Sequence, residues 1–220
     1  MIRHLAITLL LATGAALTAA DRLPTAPAGV AELHGTFQGE RFWARLNVRD
    51  ARYGNHRMLE LVYTPPRPSA LGGVQLVDCP FLLLDDRLGL VAWNGRDSLV
   101  RAVSTDRGYH VTRELERNTD DGKELTPDSD ERDVAMARGW DERIAPVLLA
   151  FAWRAGSQGE VPVADLFGPS PVVSTATWKD GDVMIAGRPY HASPDTGGRL
   201  AGIADASGKP VLTIAAWITP

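Results

Sequence analysis

The chain holds a single cysteine, Cys79, within the run "QLVDCPFLLLDD". A thiol becomes a nucleophile when a nearby cation or base lowers its pKa. Asp78 and Pro80 flank Cys79 and do neither, so it reads as a small apolar residue at the mouth of a strand. Beyond the first twenty residues stand His34, His56, His110 and His191, none within five residues of another. That spacing matches no zinc pattern, and no metal or cofactor is expected.

The serines of "AGSQGE" and "GPSPV" lack the glycine pair of a nucleophile elbow. The segment "GIADASGKP" imitates a phosphate loop, but five residues separate its glycines and proline stands where Ser or Thr would meet magnesium. It reads as a hairpin turn. Asp120, Asp121, Glu124, Asp128, Asp130, Glu131 and Asp133 crowd residues 118–133. Carboxylates can hold calcium, but counting from Asp128 as the first place the sixth is Asp133 and not the required glycine. A solvated loop leading into a helix fits better.

One surface pattern does carry chemistry. In residues 41–49, Arg41, Trp43, Arg45, Asn47 and Arg49 alternate with Phe42, Ala44, Leu46 and Val48. An indole among guanidiniums can stack on a sugar ring or acyl chain while the arginines hold an anion. The competing reading lays Trp43 against the arginine stems as a cation–π pair. Arg41, Trp43, Arg45, Trp93, Trp178 and Trp217 are therefore the candidate ligand-binding residues, and no catalytic residue is named.

These side chains need elements to position them. The alternation over 41–49 is that of a half-buried strand, and "MLELVY" is its expected partner. Phe81–Leu84, Leu88–Trp93, Ser98–Ser104 and Tyr109–Leu115 follow as strands, with turns at Asp85-Asp86-Arg87, Asn94-Gly95 and "TDRG". Thr126-Pro127 looks like a helix start. Trp140, Ile144, Val147, Leu148, Phe151 and Ala155 recur at helical spacing, interrupted at Gly139 and Pro146. Later hairpins are expected at Asp180-Gly181 and Ser207-Gly208. The pattern predicts an α+β fold: an antiparallel, curved sheet of about 8–10 strands packed on a central helical segment near 127–155.

Residues 1–20 have a basic start, an apolar Leu5–Leu11 stretch and a small-residue end, the three parts of a secretory signal. A linker over 21–30 and one domain over 31–220 follow. The sequence has 23 basic and 27 acidic residues, and loss of Arg3 with the leader moves the net charge from −4 to about −5. Such a balance disfavours nucleic acid, and no later stretch is apolar enough to span a membrane once the leader is cleaved.

The reading that follows is an exported protein, periplasmic or secreted, that binds an amphiphilic or glycan-like ligand or a protein partner without a catalytic motif. A curved sheet around a helical segment resembles, in architecture alone, the half-barrel carriers of the bacterial envelope. Two alternatives stand: an envelope hydrolase using carboxylate or histidine catalysis, and an assembly subunit that docks through the proline-rich 64–70 segment or a sheet edge.

Overall fold

A computed structural model describes residues 31–47, 56–64, 81–94, 100–113, 116–119, 122–125 and 130–218. The leader, Arg49, Cys79, Gly95 and Thr126-Pro127 lie outside them. Seven strands come first: β1 (Ala31–Phe37), β2 (Glu40–Asn47), β3 (Arg57–Thr64), β4 (Phe81–Leu84), β5 (Leu90–Asn94), β6 (Val100–Thr105) and β7 (Gly108–Arg113). After them come β8 (Glu116–Thr119), β9 (Gly122–Leu125), β10 (Asp130–Val134), β11 (Trp140–Asp141) and one helix, α1 (Ala145–Ala152). The rest is strand: β12 (Gln158–Ala164), β13 (Ser174–Lys179), β14 (Asp182–Ile185), β15 (Arg188–Pro194), β16 (Leu200–Asp205) and β17 (Pro210–Ile218).

Fifteen of these strands make a single sheet in the order β10-β7-β6-β5-β4-β3-β2-β1-β17-β16-β15-β14-β13-β12-β11, while β8 and β9 pair apart. Two meanders, β1–β7 and β12–β17, are joined where β1 lies antiparallel to β17. Every ladder in the large sheet is antiparallel except the short β11–β12 pair.

The expected α+β class is thus corrected: the described residues are nearly all β, with 15 strands in the sheet in place of 8–10 and a helix of 8 residues in place of 127–155. The helical spacing misled because its apolar stripe is shared by three structures. Trp140 belongs to β11, residues 142–144 form a turn, and only Ala145–Ala152 is helical. Pro146 does not break this helix; it lies in the first turn, where a missing N–H costs nothing. Asp130–Val134, read as part of the helical region, is held as strand by its register with Tyr109–Arg113.

All eight residues of α1 are buried, so the helix is apolar on every side. It sits against β11, β16 and β17. The inward faces of the strands complete the core, for example Phe42, Ala44 and Leu46 on β2 and Ala176 and Trp178 on β13.

Beyond the ladders, contacts join the two ends of the sheet. The Leu90 N–H on β5 donates to the Gly139 carbonyl just before β11, at 2.9 Å. The buried Tyr109 hydroxyl donates to the Leu90 carbonyl at 2.8 Å and accepts from the Gly139 N–H at 3.0 Å. Trp140 Nε1 reaches the Leu88 carbonyl at 3.0 Å, and Arg132 Nη2 reaches the Leu166 carbonyl at 3.1 Å. The sheet is open in its ladder and rolled so that these ends meet along a side-chain seam.

Candidate functional site

The alternation of β2 places Trp43 and Arg45 on the face opposite Phe42, Ala44 and Leu46. There Arg45 lies 5.2 Å from the Trp43 ring centroid and its Nε donates to Glu32 at 2.7 Å. His34, in register with Trp43, binds the other Glu32 oxygen through Nε2. Glu32 is held below the ordinary carboxylate range, first by the hydrogen bond from His34 and then by that from Arg45. Arg45 is engaged within the chain, whereas Arg41 is exposed, between Thr36 and Thr64.

The other three candidate tryptophans belong to the inner side, each on a different partner. Trp93 is buried edge-on to Phe167 at 5.3 Å, and Arg143 covers both rings. Arg143 is held in turn by Asp141, whose fully buried carboxylate also accepts the Leu166 N–H at 3.0 Å. Burial pushes the Asp141 carboxyl up, against the pull of Arg143. Trp217 is half-buried, with Nε1 on the Leu200 carbonyl, its ring edge-on to Phe151 and Arg199 5.7 Å above it. Trp178 stacks on Trp140 at 6.0 Å, nearly parallel.

Of the six candidates, Trp178 borders a cleft of about 670 Å³, with Gln158, Gly159, Glu160, Thr177 and Lys179. Strands β12 and β13 build it from facing pairs: Gln158 with Lys179, Gly159 with Trp178, Glu160 with Thr177. Gly159 is the device that places the indole, since a Cβ there would fall 2.2 Å from the Trp178 ring. The Trp178 Nε1 is buried and has no hydrogen-bond partner. The indole itself lies on the inner face against Trp140, while Gln158, Glu160, Thr177 and Lys179 alternate onto the opposite face, where an amide, a carboxylate, a hydroxyl and an ammonium can both donate to and accept from a hydroxyl-rich ligand. The sequence reading missed these polar neighbours. The signal available was Gly159, a glycine in a strand interior, which marks a close approach.

A second cleft, of about 500 Å³, is bordered by residues 105–110 and 133–135. In it His110 Nδ1 meets the Asp133 carboxylate at 2.9 Å. The histidines do not converge. His34 is on β1, His110 on β7 and His191 on β15, where it approaches Asp182 at 3.9 Å. Among the described residues no group of three or more His, Cys, Asp or Glu is arranged to hold a metal ion, and no helix is long and apolar enough to cross a membrane. Comparison with protein-family models, curated proteins and solved structures found no match.

Proposed function

We propose that this is an exported binding protein that holds a glycan-like ligand in the cleft over β12 and β13, on the polar side chains of Gln158, Glu160, Thr177 and Lys179. The observation that carries this reading is the polar lining of that cleft, donors and acceptors of both signs set side by side on one face of the β12–β13 pair, above the buried Trp178. Sugar hydroxyls need this mixture of donors and acceptors. A lipid-like ligand fits less well, because α1 occupies the inner side of the sheet with buried apolar side chains.

The test is titration of the purified protein with neutral oligosaccharides, read by tryptophan emission. Binding should shift the emission of the wild-type protein, and the shift should be lost in Trp178→Phe. Lys179→Ala should weaken binding about tenfold, the worth of one hydrogen bond from a charged group. An emission change that persists in both variants would refute the site. A bound mass in native mass spectrometry that organic extraction removes would replace the glycan with an amphiphile.

A further inference from the structure

Arg154, between α1 and β12, and Arg199, just before β16, face each other across an isolated antiparallel bridge. The neighbouring Ala155 N–H donates to the Gly198 carbonyl at 2.8 Å and fixes the approach. Both arginines are half-buried. Most of the ion-paired arginines have a carboxylate of their own: Arg45 has Glu32, Arg138 has Asp85 and Arg188 has Glu142. Among the described residues, Arg154 and Arg199 are ion-paired with none.

Arg154 has a structural duty. Its Nη1 donates to the Trp153 carbonyl at 2.6 Å and more weakly to that of Phe151 at 3.5 Å, closing the C-terminal end of α1. These bonds orient the guanidinium and, among the described residues, leave Nε and Nη2 without an acceptor. Arg199 lies over the Trp217 ring, at 5.7 Å, and among the described residues its side-chain N–H groups have no acceptor. The nearby acid, Asp195, directs Oδ1 to the backbone N–H groups of Gly197 and Arg199, each at 2.8 Å. Burial, and next the charge of Arg199, hold the Arg154 guanidinium below its ordinary value, while Asp195 acts the other way.

We infer that Arg154 and Arg199 form a binding site for a phosphoryl group, with Trp217 as the platform that holds Arg199 in place. Two adjacent guanidiniums present forked donors to oxygen atoms, the geometry that suits phosphate. The pair's two positive charges, offset in part by Asp195, suit a phosphoryl group of about −1.5 to −2 at neutral pH better than a single carboxylate. The site is independent of the cleft at Trp178, and one can fail without the other.

The experiment is calorimetric titration of the protein with sodium phosphate, with sodium chloride holding the ionic strength constant. Co-sedimentation with phosphatidylglycerol vesicles, against phosphatidylcholine vesicles, runs beside it. A free phosphoryl compound is the source if phosphate binds in solution; a lipid headgroup is the source if only the anionic vesicles bind. In either case Arg199→Gln should weaken binding at least about tenfold, since it removes a charge-assisted pair. Arg154→Lys should weaken it less, keeping the charge but not the fork, and Arg188→Gln should match the wild type. Melting without phosphate shows that Arg199→Gln is folded. Failure of both phosphate and anionic vesicles to bind, or binding that Arg199→Gln leaves unchanged, would overturn the site.

Discussion

At the scale of single residues, two buried or half-buried carboxylates respond to pH in opposite senses. Glu32 is stabilised as an anion by His34 and Arg45, so its folded pKa lies below the ordinary 4.5. The stability it contributes is present above that value and is lost as pH falls through the lower, folded one. Glu32→Gln should therefore flatten the acid side of the stability profile below about 4.5, as followed by urea unfolding at stepped pH. An unchanged profile would mean that the His34–Glu32–Arg45 cluster does not hold in solution. Asp141 has the reverse sign: burial raises its pKa, so its ionised form is the disfavoured one and its contribution declines as pH rises. Its role is positional. It fixes Arg143 over Trp93 and Phe167 and fixes the Leu166 amide, so the inner candidate Trp93 is a packed seam residue.

At the scale of elements, the hairpin turns show how far local rules reach. Asp180 and Gly181 both have positive φ, 52° and 96°, the tight turn that twists with its strands, and the dipeptide announces it. The same turn is built from Ala186 and Gly187, at 49° and 75°, where alanine is strained and no local signal exists. Ala186→Asn should relieve that strain and raise stability by about 0.5–1 kcal/mol, measured as a shift in urea midpoint. A loss of stability would show that Ala186 is held by something other than the turn. Strands β2, β3, β13 and β17 were legible for the same reason, because alternation or a β-branched run is a local property, and β4 as a short apolar run between turn signals. The limits of α1 were not, since the stripe from Trp140 to Phe151 is continuous in sequence and divided only by the pairing of β11 with β12. The candidate sites followed the same division. Residue types named Trp178, but its companions across β12, and the meeting of Arg154 with Arg199, arise from pairings that no short window contains.

At the scale of the whole molecule, the rolled sheet depends on a few bonds where its ends meet. Tyr109 is the centre of these: burial pushes its hydroxyl pKa far up, and it remains a proton donor to Leu90 while accepting from Gly139. Tyr109→Phe strands a carbonyl and an N–H in a buried place, which should cost roughly 2 kcal/mol in urea unfolding. A cost within about 0.5 kcal/mol, the range of an ordinary surface change, would show that water replaces the hydroxyl and that the seam does not rely on it. The ladder between β1 and β17 has a consequence in time. Glu32–Phe37 pairs with Leu212–Ile218, so the eighth and ninth strands of the sheet come from opposite ends of the described chain. During synthesis one edge of β1 waits for its neighbour until β17 has been made. The two meanders can each form early from local hairpins, but the middle of the sheet closes last, across the longest loop the fold contains. A chain cut short before Pro210 would carry an open edge at its centre, the kind of surface that pairs with a second copy.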